Sequence, residues 1–188
     1  MLEMRIHGRG GQGAVTSAEL IAVAAVGVGK YAQAFPSFGP ERRGAPVVAF
    51  CRVDDKRILA RTKVYEPDVV VVLDPGLLTL VNPAEGLKPN GILVINSRKS
   101  YEEIMDACRF NCRVGIVNAD QIAQEELGRV IVNTTMMGAV IKATGLFRVD
   151  DIRKPMLERF GPNLGEKNMK ALERACNELV INELVIKE

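Results

Sequence analysis

Met4-Arg5-Ile6-His7-Gly8-Arg9-Gly10-Gly11-Gln12-Gly13-Ala14 sets a short strand-like stretch, a glycine loop and the start of an apolar run reaching Val28 in one line. Strand, glycine loop and helix in that order is the opening unit of an α/β fold. The glycines uncover backbone N–H groups and permit positive φ. At a helix start those N–H groups and the positive end of the helix dipole point the same way. The loop therefore reads as a site for an anion, a phosphate above all.

Outward from the loop, residues 14–29 read as a helix that is apolar nearly all round, hence buried, and ended by Gly27 and Gly29. Tyr31 to Pro46 is rich in Gly, Pro and aromatics, has no amphipathic period, and reads as a long loop carrying Arg42 and Arg43. Pro46 to Val53 reads as a strand that Asp54-Asp55 turns into a second strand over Arg57–Thr62, a β-hairpin. Asp68-Val69-Val70-Val71-Val72-Leu73 is β-branched without alternation, as in a strand buried on both faces. The pattern recurs at Gly91–Ile95 and Val114–Val117. Helices are expected over 76–82, 100–109, 119–127, 134–144, 150–160 and 164–186. Asn163 and Glu166, three positions apart, suit a capping box at the last of them. The expected fold is one three-layer α/β/α domain over residues 1–188, with a mostly parallel mixed sheet and a β-hairpin insertion.

A chain of 188 residues, 47% apolar and 26% charged, can bury a core without disulfides or metals. Its net charge of +2 is scattered, with no basic block of the kind that tracks nucleic acid. The apolar stretch Ala14–Val28 holds Thr16, Ser17 and Glu19 and is too short to span a bilayer. No leader segment is read, and a soluble, cytoplasmic protein is expected, with neither nucleic acid nor membrane as partner. Cys51, Cys108, Cys112 and Cys176 form no Cys-x-x-Cys pair and read as apolar core, so no metal site is expected. His7 reads as structural and Asp74 as a turn former at a strand end. No catalytic set emerges.

Gly8, Gly10 and Gly13 match the dinucleotide-binding fingerprint, but no carboxylate stands where the ribose hydroxyls need one, and no Gly-Lys-Ser/Thr follows. A stand-alone NAD(P)- or flavin-dependent oxidoreductase is therefore an alternative. With Ser37-Phe38-Gly39-Pro40-Glu41-Arg42-Arg43-Gly44 added, the loop resembles that of the γ subunit of the 2-oxoacid:ferredoxin oxidoreductases, of which pyruvate:ferredoxin oxidoreductase is best known. The likeness extends to Asp74-Pro75, to Asn133-Thr134-Thr135-Met136-Met137-Gly138 and to Asn168, with Ala45 where many members have glycine.

The resemblance implies a subunit of a complex that decarboxylates a 2-oxoacid, most simply pyruvate. Acyl-coenzyme A is the product and ferredoxin takes the electrons. It implies α, β and δ partners that hold thiamine diphosphate, Mg and [4Fe–4S] clusters, with this chain inactive alone and helping to bind coenzyme A. On that reading Gly8, Arg9, Gly10, Gly11, Gln12 and Gly13 form the phosphate cradle, Arg42 and Arg43 add charge, and Asn96 and Ser97 line the same cleft from strand ends.

Overall fold

The valine run anchors the sheet as its pattern requires. Val69 and Val71 enter one apolar core and Val70 and Val72 the other, all four fully buried. The computed structural model describes residues 1–37 and 43–183. Its strands are β1 (Leu2–Arg9), β2 (Tyr31–Pro36), β3 (Pro46–Asp54), β4 (Val69–Val72), β5 (Ile92–Asn96), β6 (Arg113–Val117) and β7 (Val180–Asn182). Its helices are α1 (Ala14–Gly27), α2 (Tyr101–Cys108), α3 (Ala119–Leu127), α4 (Asn133–Thr144) and α5 (Arg153–Glu178), with 3-10 turns at Pro75–Thr79 and Val149–Ile152.

The strands form one sheet in the order β2-β3-β1-β4-β5-β6-β7. The parallel centre is β1, β4, β5 and β6, while β3 runs antiparallel to β1 and β2, and β7 antiparallel to β6. On one face Met4, Ile6, Val69, Val71 and Val94 pack against α1, α3, α4 and α5. The other face is thinner, with Leu77 of the first 3-10 turn and Ile104 of α2 covering Val70, Val72, Leu93 and Ile95. The expected α/β class with a mixed sheet is the one observed.

Three local expectations are corrected. Tyr31–Pro36 is a strand rather than loop, and it is β2, not residues 57–62, that makes the hairpin with β3. Segment 57–62 has no strand geometry. It lies across the pair instead, where Gln33 Nε2 donates to the Ile58 carbonyl (3.3 Å) and Arg52 Nη2 to the Lys63 carbonyl (3.2 Å). Arg52 is only 1% exposed, and its Nε donates to Glu3 Oε1 at 2.8 Å. The last helix ends at Glu178, because Leu179 takes φ −58°, ψ 124° and leads into β7. At its kink, Gly161 (φ 75°, ψ 169°) and Pro162 restart the helix, and Glu166 accepts from Arg153 Nη1 (2.6 Å).

Candidate functional site

α1 and β1 leave the sheet on the helix-rich face, whereas the 3-10 turn after β4 crosses to the other. The carboxyl ends of β1 and β4 therefore part at a topological switch point, the place where ligands enter open α/β sheets. The glycine loop lies there. Gly11 (φ 94°) and Gly13 (φ 80°) both adopt the left-handed conformation that glycine tolerates. A Cβ on Gly13 would also come within 2.5 Å of Asn133 Nδ2, so the loop and the start of α4 touch.

Asp74, just past β4, fixes the loop from outside. Its Oδ2 accepts from Arg9 Nε (2.7 Å) and Gln12 Nε2 (3.1 Å), and its Oδ1 from the Gly76 N–H (2.8 Å). Gln12 Oε1 closes the circuit on the Arg9 N–H at 2.7 Å. Arg9 Nη1 reaches the Gly44 carbonyl (3.1 Å), and Gly10 pairs through its N–H with Ala45 and through its carbonyl with Gly44. The loop is thus held rigid whether or not anything occupies it.

A cleft of about 630 Å³ opens above this loop. Gly11, Gln12, Gly13 and Thr16 form one wall, Asp74 and Pro75 a second, Val132 and Asn133 a third, with Arg159 near the mouth. α2 and α3 begin with side-chain caps, Ser100 and Asn118. α1 and α4 begin without one, behind Gly13 and Val132. Their first N–H groups are the orphan donors of a helix start, and both starts border this cleft. Ser17 ties them together, its single hydroxyl proton shared between the carbonyls of Gly13 (3.2 Å) and Asn133 (3.1 Å). Asn133 is 7% exposed, and its Oδ1 has no hydrogen-bond partner among the described residues. Thr134 Oγ1, bonded to Asn168 Oδ1 at 2.5 Å, locks the start of α4 onto α5.

Of the residues read from the sequence, Gly11, Gln12 and Gly13 line the cleft. Gly8 is buried, where a Cβ would press on Leu73 and Ala14. Arg9 is engaged by Asp74 rather than free for a ligand, and Gly10 pairs with the strand-like segment at Arg43. Arg43 is exposed beside the loop, and Arg42 lies outside the described residues. Asn96 is 1% exposed and fully occupied. Its amide nitrogen donates to Leu73 O and Asp120 Oδ1, and its oxygen accepts from the Asp120 N–H. It positions the wall residue Asp120 rather than facing a ligand. Ser97 lies beyond it, in a neighbouring hollow. Asp74 was read from sequence as a turn former and, with Asn133, as part of the family likeness, but neither as a site residue.

An α/β sheet with a preformed cleft beside a glycine loop at its switch point is the architecture in which proteins of the α/β class commonly hold phosphate-bearing ligands. The dinucleotide-dehydrogenase alternative is not supported, because β2, which leads into the arginine loop, is an edge strand separated from β1 by β3. A ribose-binding carboxylate at its end would not stand beside the glycine loop.

Comparison with known proteins narrows the class. The family described as pyruvate ferredoxin/flavodoxin oxidoreductase matches residues 3–178. The chain is 53% identical over 185 residues to the pyruvate/ketoisovalerate oxidoreductases common subunit gamma of Thermococcus kodakarensis, covering 98% of this chain and 100% of that one. It is 49% identical over 180 residues to the pyruvate synthase subunit PorC of Methanocaldococcus jannaschii, covering 96% and 98%. The crystal structure of the pyruvate oxidoreductase subunit PORC of Thermotoga maritima matches with a TM-score of 0.85 and 39% identity, over 97% of this chain and 98% of that one. The fold recurs (TM-score 0.75, 18% identity, 97% of this chain) within 32% of a 2-oxoglutarate:ferredoxin oxidoreductase chain from Magnetococcus marinus, determined with 2-oxoglutarate, coenzyme A and succinyl-CoA bound. The chain belongs to the pyruvate ferredoxin/flavodoxin oxidoreductase family, as a subunit of the gamma, or PorC, type.

Proposed function

We propose that this subunit holds coenzyme A for a 2-oxoacid:ferredoxin oxidoreductase complex and docks it against the catalytic subunits. The complex converts a 2-oxoacid anion, coenzyme A and two oxidised ferredoxins into acyl-coenzyme A, carbon dioxide, two reduced ferredoxins and a proton. Pyruvate is the first substrate, in keeping with the names of the relatives. Thiamine diphosphate, Mg and [4Fe–4S] clusters reside in α, β and δ partners, and the assembly works in the cytoplasm. Those groups supply the decarboxylation and electron transfer; this chain supplies binding and orientation.

The observation that carries the reading is the meeting of two uncapped helix starts, α1 and α4, at one cleft. The donor set suits a pyrophosphate: N–H groups of Gly13 to Thr16 and of Asn133 to Thr135 lie at the positive ends of two helix dipoles. The two carboxylates in the wall are engaged, Asp74 by Arg9 and Gln12, and Asp120 by Asn96. Arg159 at the mouth and Arg43 beside the loop add attraction for the approaching anion.

Calorimetric titration of the full chain and of the native complex with coenzyme A tests the binding. Viologen reduction with pyruvate and coenzyme A tests the activity. Gly13→Ala, which strains a left-handed position and pushes on Asn133, should weaken coenzyme A binding about tenfold or more while the folded chain persists. Unchanged affinity in that variant, or no binding by wild-type chain and complex, would refute the cradle.

A further inference from the structure

Between β3 and β4 the chain runs from Asp55 to Glu66 without strand or helix. It crosses the thin face of the sheet over β3 and β2, and it is fixed there from below. Val64 is 2% exposed, Gln33 and Arg52 hold the Ile58 and Lys63 carbonyls, and the Arg52 guanidinium lies 5.5 Å from the centre of the Phe35 ring. What the segment turns outward has no use within the chain. Lys56, Arg57, Arg61 and Lys63 are all exposed, and none pairs with a carboxylate among the described residues. Around them Lys30, Arg52 and Lys88 are paired, with Asp55, Glu3 and Asp68. Among the four cations and just beyond them stand Leu59, 78% exposed, and Tyr65, 69% exposed, the two most exposed large apolar side chains among the described residues. Scattered apolar exposure is ordinary; its coincidence with a run of unpaired cations on a fixed segment is not.

We propose that segment 55–66 is a docking surface for a carboxylate-bearing face of another subunit of the oxidoreductase complex. The proposal rests on the chain being a gamma-type subunit and is independent of the coenzyme A cradle. Leu59 and Tyr65 supply the apolar and aromatic anchors of an interface, and the cations supply its charged rim. Charge complementarity then requires an acidic partner, which also suppresses wrong pairings. The segment's own carboxylates stand at its two ends, Asp55 held by Lys30 at 2.6 Å and Glu66 beyond Tyr65, so they leave the cations between them unanswered. A second copy of this chain does not fit. A two-fold contact through this segment sets the same cations against each other. Nucleic acid fits less well than protein, since a phosphodiester backbone gives Leu59 nothing to pack on. Because the segment is already fixed by Gln33, Arg52 and Val64, docking on it costs little ordering.

The test is carbodiimide cross-linking of the native complex, with mass spectrometry of the joined peptides, because the reagent joins a lysine directly to a carboxylate in contact with it. Lys56 or Lys63 should be joined to an Asp or Glu of a different subunit. Both lysines should also lose their reaction with an acetylating ester in the complex, while reacting readily in the isolated full chain. The variant Lys56→Gln, Arg57→Gln, Arg61→Gln, Lys63→Gln changes exposed side chains alone. It should weaken association with the other subunits about tenfold or more at low salt, and wild-type association should weaken as salt rises. Leu59→Ser should weaken association with little change in its salt dependence. Equal acetylation of both lysines in complex and isolated chain, with no cross-link, would overturn the proposal. So would cross-links to a second copy of this chain alone, or protection that nuclease treatment abolishes.

Discussion

Asp74 holds the glycine loop in shape with one carboxylate. Read from sequence it is a turn former, and it does cap the turn through Gly76. Its other oxygen receives Arg9 and Gln12, residues far away in the chain, which no local pattern announces. Arg9 was expected to meet phosphate, yet the nearer carboxylate claims it. Asp74→Ala leaves a guanidinium, an amide and an N–H without their acceptor. It should cost about 1–3 kcal/mol of stability in urea unfolding and weaken coenzyme A binding, whereas Asp74→Asn, which keeps an acceptor for Gly76, should lose less. Equal effects of the two changes would deny the clamp its role. The glycine loop itself was legible because φ > 0 and exposed N–H groups are properties of the residues. The partners of Arg9 and Asn96 were not, because they are made by strands meeting side by side.

Helices α4 and α5 pack in close contact, and Gly138 is the reason. A Cβ there would come within 1.9 Å of the Leu172 carbonyl oxygen. Backbone cannot retreat as a side chain can, so Gly138→Ala must drive the helices apart. A loss of about 1–3 kcal/mol or more is expected in urea unfolding, and since α4 also presents Asn133, weaker coenzyme A binding should accompany it. Among elements, the strands β4 and β5 were legible because burial on both faces forces an unbroken apolar run. β2 was not: Tyr-Ala-Gln-Ala-Phe-Pro is short and lies at the sheet edge, where one side of the backbone has no neighbouring strand to demand a pattern. The periodicity of α5 carried past its true end because Leu179 fits both a helix stripe and the contact it makes. It fills the space over Gly115 of β6, 3.2 Å from where a Cβ would stand.

At the scale of the whole molecule, the central strand β1 sends Met4 and Ile6 into the thick core and turns Glu3, Arg5, His7 and Arg9 to the opposite face. His7 is 9% exposed, its Nε2 lacks a partner among the described residues, and burial aided by Arg5 lowers its pKa to about 4. The unfolded chain, with histidine near 6.5, binds that proton first. Stability is therefore fully present above about pH 6.5 and is lost as pH falls toward 4, by about 2 kcal/mol between pH 7 and 5. Urea midpoints over that range should fall for wild type and much less for His7→Gln; parallel curves would exclude His7 as the source. No helix among the described residues is long and apolar enough to cross a membrane. The sequence by itself determined the α/β class, the buried parallel strands and the glycine loop, since periodicity, β-branching and glycine freedom act within a few neighbouring residues. Only the tertiary structure decided which strand pairs with β3, that α4 opens onto the same cleft as α1, and that Asp74 governs the loop. Each of these depends on competition between distant segments for the same hydrogen bonds and apolar surface, and that competition is settled only when the sheet assembles.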